Sequence, residues 1–150
     1  MKKAWALLAL LAASVLPAVA QSNQFIDRLL EQPQATFGAS AYLVLAASGL
    51  VPAEATEQQA LTALNEKGWK LKARGADEPI RLGEYCYLIM KAFELKGGLM
   101  YRLFPGPRYA VRELAYRGIV HGQAHGARYP SGQEAVQLLS SFLDWKGGRT

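Results

Sequence analysis

The sequence predicts an all-α fold: a compact helical bundle of two helix–loop–helix units, each about fifty residues long, preceded by half a unit. Three observations predict it. Shifted by fifty residues, the chain aligns with itself without gaps: Ala60 falls on Ala110, Leu64 on Leu114, Gly68 on Gly118, Glu84 on Glu134 and Leu88 on Leu138. Within the units, apolar residues recur at helical spacing and glycines follow the last of them, as at helix ends. No stretch sustains the alternation of a sheet, and at most Trp69 to Leu71 reads as a short extended piece.

The chain opens with the three zones of an export signal. Lys2 and Lys3 carry charge, Ala4 to Leu16 is apolar, and Pro17 is expected to break the helix before Ala18-Val19-Ala20, a small-x-small cleavage pattern. The apolar run is short against the roughly 17–25 residues of a membrane span. Residues 1–20 therefore read as a signal peptide cleaved after Ala20, leaving 21–150 as one domain outside the cytoplasm, in the periplasm or at the cell surface. The only cysteine is Cys86, so the cleavage site lacks the cysteine of a lipoprotein and no internal disulfide can form. Cys86 lies between Tyr85 and Tyr87 in an apolar stretch and reads as a small buried hydrophobe.

Phe25 to Glu31 can form a short amphipathic helix ended by Gln32-Pro33. The half-unit follows, at about 36–50. Gly38 to Leu50 matches Gly83 to Leu95 at a shift of forty-five, with Gly38 on Gly83, Tyr42 on Tyr87 and Leu43 on Leu88. Thr36 is its expected N-cap. Having no polar stripe, this helix is expected to be the most central.

The first full unit covers about 54–98. Thr56 caps a helix with Gln59 as its capping-box partner, Ala60, Leu61 and Leu64 form the apolar stripe, and Gly68 ends it. The second helix of the unit has Glu84, Tyr87, Lys91 and Glu94 as its polar stripe and is apolar nearly all round otherwise, so it should be mostly buried. In the second unit, about 104–148, Pro105-Gly106-Pro107 forces a turn and Arg108 to Arg117 runs as a helix stopped by Gly118. Glu113 and Arg117 make an i, i+4 pair. Ser131-Gly132-Gln133-Glu134 is a capping box, in which the Glu134 carboxylate should reach back to the Ser131 amide. That helix runs to Trp145, with Ala135, Leu138, Leu139 and Phe142 on its apolar face.

Net charge is +5, and removing Lys2 and Lys3 leaves 15 basic against 12 acidic residues. The surplus concentrates in Lys96, Arg102, Arg108, Arg112, Arg117 and Arg128, opposed there only by Glu113. Such a field favours anionic partners: outside the cytoplasm these are envelope polymers and lipid head groups, not nucleic acid; the alternative is a merely solvated face.

The repeat resembles the S-layer homology (SLH) motif, in which a first helix ends near a glycine and a Thr-Arg-Ala-Glu type segment opens the second. Leu114 to Gly122 looks like the helix-end and loop portion. Ile80 to Glu84 and Pro130 to Glu134 stand where the helix-opening segments would. The resemblance spans about residues 36–148, and it implies a helical domain that holds anionic cell-wall polysaccharide. Leu82 and Gly132 replace the arginine to which the family owes part of that binding, so the resemblance bears on fold more than on ligand.

No nucleophile elbow, phosphate loop or dinucleotide fingerprint is present, and no cofactor is implied. His121 and His125 are four apart but flanked by glycines, with no cysteine and few acids nearby, so no metal site is expected. Glu84 and Glu134 would be the carboxylates of an envelope hydrolase, but capping already occupies them and no catalytic residue is assigned. The most distinctive stretch is Gly97 to Tyr109, which mixes aromatics with arginines. One reading makes it a ligand-binding surface of Tyr101, Arg102, Arg108, Tyr109 and Arg112, suited to sugar stacking and anion pairing. The other makes it a linker in which Leu99, Leu103 and Phe104 cap the core and the arginines stay wet. The function expected is a non-catalytic, exported envelope-binding module for an anionic glycan or surface. The alternative is a protein–protein module of a periplasmic or outer-membrane assembly.

Overall fold

The computed structural model describes residues 16–72 and 74–148, and the side chains of its first helix from Asn23 onward. Seven helices and no strand lie among the described residues: α1 (Leu16–Leu30), α2 (Phe37–Ala47), α3 (Glu57–Lys67), α4 (Leu82–Ala92), α5 (Leu99–Leu103), α6 (Pro107–Tyr116) and α7 (Gly132–Gly147). The all-α expectation holds. Trp69 to Leu71 forms no strand; the only β-type pairing among these residues is an isolated bridge of Thr36 with Pro79.

The charged start and most of the apolar run of the expected signal lie outside the described residues. Pro17 lies in the first turn of α1 as described, a position that tolerates proline; the apolar helix it was expected to break lies outside the described residues. α1 is correspondingly longer than the expected Phe25–Glu31 segment and runs through the expected cleavage point.

The first helix of each unit begins and ends by local chemistry. At the start of α3, Thr56 Oγ1 accepts from the Gln59 amide (3.2 Å) and Gln59 Oε1 accepts from the Thr56 amide (2.8 Å), the full capping box. α3 and α6 both run into glycines in the left-handed region, Gly68 at φ 62° and Gly118 at φ 72°, a conformation that costs other residues about 1 kcal/mol or more. α6 begins one residue earlier than expected because Pro107 suits the first helical position. α2 ends at Ala47, short of the expected Leu50, where the Ser48 hydroxyl turns back to the Leu45 carbonyl (3.0 Å).

The second-helix starts are tied together at a hub. Ile80 donates to the Ala35 carbonyl (2.9 Å) and Ala35 to the Pro130 carbonyl (2.8 Å); Pro130, with no N–H, ends the chain of bonds. Just beyond, Phe37 and Gly38 donate to the carbonyls of Glu78 and Ala76, and Leu82 and Gly83 to those of Arg128 and Gly126. The donors lie forty-five apart and the acceptors fifty apart, the offsets of the sequence self-alignment. The third start is different: Gly132 donates to Gln32, at the end of α1 (3.0 Å).

α4, not α2, is the most enclosed helix. Leu82 to Met90 and Ala92 are all buried, whereas α2 leaves Leu43, Ala46 and Ala47 partly or fully open. The reason is position: α4 packs most extensively against α6, and also against α2 and, through Tyr85, against α7, while α2 packs against α3 and α4. Consequently the expected polar stripe of α4 is not a wet face, since Tyr87 is buried among it. Tyr85 ties α4 to α7 by donating its hydroxyl to the Ala135 carbonyl (2.8 Å), and Phe93 meets Phe142 at 4.9 Å between ring centroids. α1 closes the bundle against α7, with Leu29 1% exposed.

Candidate functional site

The loops that feed the helix starts also carry the ion pairs. Arg74 donates to Glu84 Oε1 (3.0 Å) and to the Pro79 carbonyl (3.2 Å), while Glu84 Oε2 accepts from the Arg81 amide (3.0 Å). Glu84 is 8% exposed, and Arg74 and the helix start compensate its burial. In the second unit the Ser131 hydroxyl accepts from the Glu134 amide (3.1 Å) as expected. The Glu134 carboxylate, however, does not reach back to Ser131. It takes a bidentate grip from Arg128, Nη1 to Oε2 at 2.7 Å and Nη2 to Oε1. A two-pronged guanidinium contact outcompetes a single amide bond. The hydrogen bond to Glu134 also raises the Arg128 pKa. Thr36, the expected cap of α2, makes no side-chain cap; its amide is met by Gln32 Oε1 (3.2 Å).

A cleft of about 490 Å³ opens beside the first of these pairs, where the starts of α4 and α6 meet the 124–127 segment. Gly83 makes the meeting possible: a Cβ there would lie 3.0 Å from the Pro107 carbonyl oxygen and 3.2 Å from that of Gly126. Arg81, Arg108, Arg112 and His125 are exposed and line the cleft with Val111, Ala124 and Ala127. Glu84 is its one carboxylate, and Arg74 already pairs with it. A hydrogen bond with Tyr129 is the main cause that raises the Arg81 pKa. The cleft is thus an open, cation-lined recess with an apolar floor, suited to an anionic group.

The structure divides the expected ligand-binding set. Arg108 and Arg112 face the cleft together. Tyr101 does not join them: it is buried, edge-on to Tyr87 at 6.3 Å between centroids, and burial pushes its phenol pKa up. The helical turn of α5 swings Tyr101 to the core side and leaves Arg102 exposed elsewhere. Tyr109 is half-buried and stacks obliquely on Phe104 (6.3 Å), outside the cleft lining. The linker reading is corrected too: Leu99, Leu103 and Phe104 are exposed, and Tyr101 is the residue that caps the core.

Arg81 and His125 were not among the expected site residues. Arg81 stands at a helix start and His125 in a glycine-rich loop, and only the tertiary fold brings them beside Arg108. The one sequence signal was the match of Ile80–Glu84 to a helix-opening segment, which places Arg81 at a loop–helix junction. Among the described residues, no three His, Cys, Asp or Glu side chains cluster to hold a metal ion. No described helix is long and apolar enough to cross a membrane. The chain matches no protein-family model, no curated protein and no solved structure.

Proposed function

We propose that this chain is an exported, non-catalytic binding module of the cell envelope, SLH-like in architecture, whose cleft holds an anionic group of an envelope polymer. The observation that carries the reading is the convergence of Arg81, Arg108 and Arg112 on one recess whose single carboxylate is already neutralised by Arg74. Guanidinium groups recognise carboxylates and phosphates in forked geometry, and an open recess accommodates a polymer passing through. The SLH-like part is supported by helix starts fifty residues apart, at 57 and 107 and at 82 and 132. The non-catalytic part is supported by Glu84 and Glu134, each committed to an arginine. Export is supported by the charged, apolar and small-residue zones of the first twenty positions.

The test is binding of the full chain to isolated acidic envelope polysaccharide. Binding should weaken with added salt, and Arg81→Ala with Arg108→Ala and Arg112→Ala should lower affinity on the order of a hundredfold, about 3 kcal/mol. Salt-independent binding, or binding that the triple variant retains, would reject the cleft.

A further inference from the structure

A second surface, separate from the cleft, is built for a different contact. α5 is anchored by Tyr101 and turns its other side outward, so that Leu99, Met100, Leu103 and Phe104 are 69%, 52%, 60% and 61% exposed. Leu99, Met100 and Leu103 follow i, i+1, i+4 spacing on the helix, and Phe104 follows directly at its C-cap. Burying them against the body would remove the cost of exposing apolar surface to water, yet the fold leaves all four exposed within one short segment. Beside them lies a hollow of about 640 Å³ in which Leu103 and Phe104 meet Lys67, Lys70 and Lys91, and no carboxylate lines it. No salt bridge engages these three lysines among the described residues; Lys91 rests over the Tyr87 ring at 5.6 Å.

We infer that this face docks on an anionic lipid bilayer, with the apolar tip of α5 entering the headgroup–acyl boundary and the lysines meeting lipid phosphates. One feature selects a bilayer over a protein partner. Lysine is depleted from protein interface cores but is the residue that rims membrane-surface elements. Several lysines flanking a short apolar element match the charge of anionic headgroups, and each adds measurably to partition.

The experiment must read α5 itself, because the apolar residues near the N-terminus can bind lipid independently. In the full chain, Met100→Cys carries an environment-sensitive fluorophore; Cys86 is buried, its thiol pKa pushed up by burial, and does not compete for label. Vesicles of phosphatidylglycerol and phosphatidylcholine should shift the emission to the blue and raise it several-fold. The same label at Gln137→Cys, exposed on α7, should not respond. Lys67→Gln with Lys70→Gln and Lys91→Gln should require on the order of a hundredfold more lipid for the same response. Added salt should act in the same direction on the unsubstituted lysines, a readout independent of how that variant folds. Three results would overturn the inference: a silent label at position 100 on vesicle-bound protein, an equal response to pure phosphatidylcholine, or a response without lipid that grows with protein concentration, which would make a second copy the occupant.

Discussion

Of the described glycines, Gly132 leaves the least room for a Cβ, and replacing it with alanine gives a prediction whose sign separates local from tertiary control. Gly132 is the first residue of α7 and its φ is not in the left-handed region. Helix propensity alone therefore predicts that Gly132→Ala stabilises, by up to about 1 kcal/mol. The structure predicts the opposite. A Cβ at this position would lie 2.7 Å from the carbonyl carbon of Leu29, closer still to its oxygen, and 3.2 Å from Leu29 Cδ1. Ordinary carbon contacts begin at about 3.5 Å, so the end of α1 must retreat by roughly 1 Å or more. That movement lengthens the 3.0 Å bond from Gly132 to Gln32, which contributes about 1 kcal/mol. It also loosens Leu29, which is 1% exposed, and strain of this kind costs about 1–3 kcal/mol. The net loss is about 2–4 kcal/mol, a fall in Tm of roughly 8–15 °C for a chain of this size. Urea unfolding followed by far-UV circular dichroism reads it. Gly147→Ala serves as the control, since nothing lies within 4 Å of a Cβ there; it should be neutral or slightly stabilising. If Gly132→Ala proved as stable as the parent, the docking of α1 on the start of α7 would be wrong.

Three further outcomes are expected. Arg74→Ala leaves the carboxylate of buried Glu84 without its guanidinium and should cost about 2–3 kcal/mol, whereas Arg128→Ala, whose pair with Glu134 is 26% and 32% exposed, should cost no more than about 1 kcal/mol; equal urea midpoints would contradict the difference in burial. Ser40 is 0% exposed and its hydroxyl has no hydrogen-bond partner among the described residues, so Ser40→Ala should hold or raise the unfolding midpoint, and a marked loss would reveal a partner. Burial raises the pKa of Cys86 and Tyr85 above their ordinary 9.0 and 10.0. Both are neutral acids that the unfolded chain ionises first, so their contribution is intact below about pH 9 and is lost above it, each steepening the decline by roughly 1.4 kcal/mol per pH unit. Unfolding free energies measured between pH 7 and 11 check the sign, and rapid alkylation of Cys86 in the native protein would refute its burial.

Much of the fold was legible because helix boundaries are local events. The Thr56–Gln59 box, the left-handed glycines at Gly68 and Gly118 and the Glu113–Arg117 pair (2.6 Å) all involve residues within four positions of each other or at a helix end. Their partners are written beside them. The candidate site was half legible. Arg108 and Arg112 lie four apart on one helix and so share a face, but Arg81 and His125 reach the same recess only through the packing of α4 on α6. Tyr101 was misread because a mixed aromatic and basic stretch does not say which side of a single helical turn faces inward.

The sequence by itself determined the all-α class and most helix ends, though not the short helix α5. Tertiary structure alone decided which carboxylates Arg74 and Arg128 take, which helix is most enclosed and which apolar residues stay in water. The physical reason is range. Caps and turns are satisfied by neighbours along the chain, whereas Glu134 chooses between Ser131 and Arg128, and Leu103 between core and solvent, according to what the rest of the chain has already placed around them.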